Sequence, residues 1–220
     1  MKTLAGAAIG LGTLLFCNGI AAQAADDDNE DYLAPPVARR GGFTIGAGVG
    51  LNAGALTGFP NDLAKIDEPE FEQDFGGLGV ASQIWVGGML RDWLGFAVGV
   101  SNRTLRTSDG EGGRTGAVTA IVLHLDAYPL WGLGGTYRDL GVNAQVGAGF
   151  GGVVRSEDSD DSLADGGFLS SVSLGVFHET WRFYKFTVGP QLSYQLAFSE
   201  SLTSQFLSIG LRTSFYSTLL

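Results

Sequence analysis

From Phe43 onward the chain repeats with a period of two, bulky apolar residues on one parity and small or amide residues on the other. Only an extended strand sends alternate side chains to opposite faces, so this pattern excludes an amphipathic helix. In 43–54 one parity reads Phe43, Ile45, Ala47, Val49, Leu51, Ala53 and the other Thr44, Gly46, Gly48, Gly50, Asn52, Gly54. Comparable splits run over 79–90, 94–103, 117–128, 140–151, 168–179, 184–196 and 206–216. The expected class is all-β, with eight strands and no helix.

Strands of about ten residues, tilted as barrel strands are, cover the ~25 Å apolar band of an outer membrane. The connections fit that reading: long at 55–77 and 154–167, medium at 107–115 and 198–205, short at 91–93 and near 180–183. Only 129–139 is longer than a periplasmic turn should be. Trp93, Trp131, Tyr137, Trp181 and Tyr184 gather at the short-turn end, while Phe75, Phe150, Phe168, Tyr194 and Phe206 lie toward the long-loop end. Two interfacial girdles have this distribution.

Alternation alone does not separate an inside-out membrane barrel from a soluble periplasmic barrel with an apolar, ligand-binding lumen. The polar parity favours the membrane, because it is mostly Gly, Ser, Thr, Asn and Gln, whereas a water-facing surface is rich in charge. The expected architecture is therefore an eight-stranded antiparallel up-and-down transmembrane β-barrel over 43–220.

The N-terminus supplies the compartment. Lys2 precedes an apolar run from Leu4 to Phe16 and then the small-residue site Ala22-Gln23-Ala24, the layout of a cleaved secretory signal over 1–24. Residues 25–42 carry Asp26, Asp27, Asp28, Glu30, Asp31 and Pro35-Pro36, a composition expected of a flexible acidic periplasmic tail. The single cysteine, Cys17, falls inside the signal and follows the bulky Phe16, unlike a lipidation site, so disulfides and thiol chemistry are not expected of the mature chain. A net charge of −10 argues against nucleic acid as a partner.

Over 43–220 the chain resembles the eight-stranded bacterial outer-membrane barrels: OmpA-like transmembrane domains, OmpX-like, opacity-type and OmpW-like proteins. Ser208, Gly210, Leu211, Thr213 and Phe215 resemble the C-terminal strand signal of such barrels, although the chain runs on to Ser217-Thr218-Leu219-Leu220. The resemblance implies an outer-membrane location, with lipid and lipopolysaccharide as surroundings. A monomer is expected.

Five charged residues fall on the lumen parity: Arg103, Asp126, Glu179, Lys185 and Arg212. Burial without partners is costly, so pairing is expected, with all but Arg103 near the short-turn ends. Such a network either gates a narrow water path or fills a barrel whose interior is just wide enough for side chains. Gly46, Gly48, Gly50, Gly147, Gly149 and Gly151 leave room for water, while Trp85, Met89, Phe177 and Phe183 share the parity and refill it. The outer connections hold 14 acidic residues against Lys65, Arg114 and Arg155. Within them Asp158, Asp160, Asp161 and Asp165 are candidate ligands for divalent cations bridging to lipopolysaccharide, without the full order of a calcium loop. A plain solvated acidic loop is the other reading.

No catalytic site and no cofactor are expected. The only histidines, His124 and His178, lie toward the periplasmic ends, away from the outer leaflet on which a lipid-modifying site would act. The leading expectation is a non-enzymatic barrel serving envelope integrity or surface interaction through its acidic loops. A narrow channel for ions or small solutes is the second.

Overall fold

The computed structural model describes residues 40–58, 73–107, 113–133, 135–155 and 162–218. The strands are β1 (Gly42–Gly58), β2 (Gln73–Arg91), β3 (Leu94–Thr107), β4 (Arg114–Ala127), β5 (Leu140–Arg155), β6 (Ser162–His178), β7 (Trp181–Phe183), β8 (Phe186–Phe198) and β9 (Leu202–Tyr216). Sequence neighbours pair antiparallel from β1 to β6 and from β7 to β9, and β1 closes on β9. Both β6 and β7 lie along the same edge of β8, so together they make one barrel strand in two segments. The result is a closed, eight-stranded antiparallel β-barrel, which leaves no unpaired edge.

Several strands outrun their sequence-based ends, because alternation persists into what reads as loop. Leu56 on β1 and Leu105 on β3 stay in register and fully buried. The 154–167 connection shrinks accordingly, since Val153 pairs with Ala164 and Gly152 with Asp165. Asp165 is thus a strand residue, while Asp158, Asp160 and Asp161 lie outside the described residues. The 129–139 link folds into two short 3-10 turns, Trp131–Leu133 and Gly135–Asp139.

The orientation of the faces follows from exposure. Val49, Leu51, Ile84, Ile121, Leu174 and Ile209 are each more than half exposed on the outside, whereas Gln83, Gln145, Gln191, Ser171, Ser173 and Ser214 are buried inside. A soluble barrel has the reverse arrangement. Each Leu or Ile left in water forfeits about 1.5–3 kcal/mol of burial, so a continuous outer band of them is compatible only with lipid. The periplasmic ligand-binding alternative is overturned on this ground.

The short-turn girdle is present, with Trp93, Trp131, Tyr137, Trp181 and Tyr184 all exposed. At the other end Phe150 and Phe168 face outward and meet edge to face at 6.0 Å, and Tyr194 is exposed. Phe206 is no girdle residue: it shares the parity of Ser208 and Gly210 and is fully buried inside. The side chain of Phe75 lies outside the described residues.

The expected alternation fails between His178 and Phe183. Phe177 and Glu179 point inward, but Trp181 and Phe183 are exposed and Arg182 takes the inward place. One residue too many sits between β6 and β7, and Thr180 N–H turns back to donate to His178 O at 3.0 Å. Phe183 then pairs with Phe186, which leaves Tyr184 and Lys185 as a two-residue hairpin turn. Such turns favour positive φ, and Tyr184 has φ 55°. Phe183 therefore does not fill the lumen, and Lys185 is a turn residue with its ammonium 5.6 Å from the Tyr184 ring.

Candidate functional site

The lumen is layered, and the layers follow from which strand offers which side chain at a given height. Nearest the short turns is an ionic plug centred on Glu179. Its carboxylate accepts from Arg40 Nε at 2.9 Å, Arg182 Nη2 at 3.2 Å, Tyr128 Oη at 2.7 Å and Tyr216 Oη. Asp139, brought in by the second 3-10 turn, accepts from Arg40 Nη2 at 2.8 Å and from Arg182 Nη2. Two guanidinium groups thus face two carboxylates, and no net charge remains to be desolvated. Burial first, and then the Glu179 carboxylate, push the Tyr128 phenol well above its ordinary pKa, which keeps it a donor.

Arg40 was not legible as a site residue because it precedes the alternating region. It lies with its guanidinium 3.7 Å above the Tyr128 ring, and its backbone N–H donates to Asp92 Oδ1 at 2.8 Å. At 1% exposure, it shows that the end of the 25–42 segment is not a solvated tail but part of the barrel's closure. The long 129–139 link has its explanation here too, since a two-residue turn would not deliver Asp139.

Above the plug, Arg212 forms a two-pronged pair with Asp126, Nη2 to Oδ2 at 2.7 Å and Nη1 to Oδ1 at 3.2 Å. Its guanidinium lies 3.6 Å from the Phe177 ring centre and 4.7 Å from that of Trp85, and Trp85 stacks on His124 at 4.8 Å. Gln145 Nε2 donates to His124 Nδ1 at 2.8 Å, which assigns the ring proton to Nε2, the donor to Asp126 Oδ1 at 2.9 Å. Gln145 also donates to Gln83 Oε1, and Gln83 to Gln191 Oε1, both at 2.9 Å. A belt of amides therefore crosses the barrel over the Arg212 layer.

Two lumen glycines make these rings possible. A Cβ on Gly46 would sit 2.0 Å from the Trp85 ring, and one on Gly141 would sit 2.2 Å from Phe177. Gly46 accordingly makes room for an aromatic ring and not for water, contrary to the sequence reading.

Beyond the amide belt the interior opens into a cavity of about 20 Å³ beside Gly48, Gly50, Gly210, Ser193, Ser208 and Arg103. That volume takes one or two water molecules. Farther still, Leu56, Leu105, Val118, Val153, Leu169, Ala197, Leu202 and Phe206 form an apolar plug at the long-loop end. It escapes a sequence reading that ends its strands early, because most of its members then fall in connections.

The five charges assigned to the lumen therefore do not form one network but have four separate fates. Asp126 and Arg212 pair with each other, Glu179 pairs with Arg40 and Arg182 instead of Lys185, and Lys185 is outside the lumen. Among the described residues Arg103, 2% exposed, reaches only the carbonyls of Ser82 at 3.2 Å and Asn102 at 3.0 Å, against the expectation that it would find a counter-charge. Among the described residues no set of His, Cys, Asp and Glu is placed to hold a metal ion. His178 contacts Thr180 Oγ1 at 3.0 Å and Thr136 O at 3.1 Å.

An antiparallel barrel of eight strands, apolar outside and filled with polar side chains inside, defines an eight-stranded β-barrel of the bacterial outer-membrane kind. No family model matches the sequence, and no curated protein matches it. Among solved structures it is similar to Ail, the attachment invasion locus protein of Yersinia pestis, in complex with the heparin analogue sucrose octasulfate, at 9% identity and a TM-score of 0.49, over 80% of this chain and 99% of that one. Neisserial surface protein A shows 13% identity and a TM-score of 0.44, over 77% and 95%. The outer membrane protein OprG of Pseudomonas aeruginosa shows 11% and 0.43, over 82% and 100%.

Proposed function

We propose that the protein is a non-enzymatic, non-conducting barrel of the outer membrane that serves envelope integrity or surface interaction by holding acidic loops outside the cell. The observation that carries this reading is the double closure of the lumen, ionic and aromatic at one end and apolar at the other, around a cavity of only about 20 Å³. A rigid, filled barrel has its loops left to act with, and 12 acidic residues lie in the outer connections between its strands. Divalent cations shared between loop carboxylates and neighbouring lipopolysaccharide belong to the same proposal. Replacing Glu157, Asp158, Asp160 and Asp161 by their amides tests it, because these lie between β5 and β6 and the substitution leaves both strands intact. Cells carrying the variant are expected to become more sensitive to detergent or to lose surface binding; unchanged behaviour in both assays refutes the loop role. The channel reading predicts resolved conductance steps in planar bilayers, where a filled lumen should be silent.

A further inference from the structure

The described lumen cations have carboxylate partners with one exception. Arg40 and Arg182 answer Glu179 and Asp139, and Arg212 answers Asp126. Arg103 has none among the described residues. Asp126 pairs across to Gly95, eight residues away from Arg103 along β3, or roughly 26 Å of strand, far beyond the reach of two side chains. The Arg103 guanidinium is buried all the same, and its Nε has no hydrogen-bond partner.

Arg103 borders the cavity beyond the amide belt, which Gly48, Gly50 and Gly210 also line. Ser208 borders the same cavity, and its buried hydroxyl also lacks a partner. A guanidinium taken out of water without a counter-charge costs several kcal/mol, and an unused N–H and O–H add to that. A cavity of about 20 Å³ bordered by Arg103 and Ser208 has room for one small ion held as a structural component.

We propose that Arg103 and Ser208 hold a single monatomic anion of the halide class, chloride in the cell, and that this anion neutralises the lumen. The guanidinium supplies charge and N–H donors, and the Ser208 hydroxyl supplies a further donor. The site lies on the far side of the amide belt from Asp126, so the anion is spared the nearest lumen carboxylate. This inference is independent of the loop reading, since it concerns the barrel interior alone.

The test uses the purified, folded chain in detergent. Unfolding midpoints are compared in sodium chloride, sodium bromide and sodium gluconate at equal ionic strength and heating rate, because gluconate is too large to enter. Wild type is expected to unfold several degrees higher in either halide than in gluconate, Ser208→Ala to keep a smaller difference, and Arg103→Gln to lose the difference. Crystals grown from bromide should show one anomalous scatterer beside Arg103. Equal wild-type midpoints in halide and gluconate, as expected if the cavity holds only water, overturn the proposal. A halide effect undiminished in Arg103→Gln, or a bromide map empty at the cavity, overturns it as well. Should Arg103→Gln fail to fold, the bromide map of wild type and the graded response of Ser208→Ala still decide the matter.

Discussion

Substituting Asp126 by Ala should be the most costly single change in the lumen, and the structure sets its size. The substitution removes two hydrogen bonds to Arg212 and one from His124, all buried, and strands a guanidinium that is about 1% exposed. Breaking a buried pair from one side costs about 3–5 kcal/mol, chiefly because the remaining charge is left without compensation. The Phe177 and Trp85 rings stay against Arg212 and recover part of this, which places the expected loss near 3 kcal/mol. With a urea slope of about 2 kcal/mol/M, the unfolding midpoint falls by about 1.5 M. Tryptophan fluorescence follows the transition in lipid vesicles, since Trp85 sits against both Arg212 and His124. The control is Arg212→Met, alone and combined with Asp126→Ala: the double variant should lose about 2 kcal/mol less than the two single losses added. A loss below about 1 kcal/mol for Asp126→Ala, or strict additivity in the double variant, would refute the idea that this pair is a desolvated unit.

Other perturbations probe other layers. Gly46→Ala forces a Cβ against the Trp85 ring and should cost about 1–3 kcal/mol, a loss that Trp85→Leu in the same chain should largely relieve in the same urea assay. Arg40→Ala removes the hydrogen bonds to Glu179 and Asp139 and should cost about 2 kcal/mol, less than a full pair because Arg182 still faces both carboxylates; an unchanged midpoint would mean that the plug does not depend on the N-terminal segment. Ile121→Arg, in the middle of the outer face, should destabilise the vesicle-refolded protein by about 2–4 kcal/mol, whereas Thr203→Arg at the long-loop rim should cost little; equal tolerance at both positions would contradict lipid contact.

Sequence by itself determined the strands and the sense of the barrel. The period of two needs no tertiary information, because strand geometry sends alternate residues to opposite faces, and an apolar parity without charges opposite a parity of Gly, Ser and amides already separates lipid from lumen. Asp126, Glu179 and Arg212 were legible for the same reason: they interrupt the composition of a face whose direction was known. Phe206 carried a readable signal as well, since its parity with Ser208 and Arg212 places it inside, although its position suggests a girdle.

Only the tertiary structure decided the partners. Arg40 and Asp139 lie outside the alternating segments, and Arg182 lies beyond an inserted residue that reverses parity, so no period reports that they meet Glu179. That insertion also turned Phe183 to the outside, because a single extra residue reverses the side chains that follow it along the strand, and Lys185 falls in the hairpin turn beyond. What a lumen glycine makes room for depends on the neighbouring strand: a Cβ on Gly46 would meet the Trp85 ring, while one on Gly50 or Gly210 would meet the backbone of the adjoining strand. Faces are a local property of the backbone and can be read along the chain, whereas the contents of a closed lumen are fixed by register between strands distant in sequence.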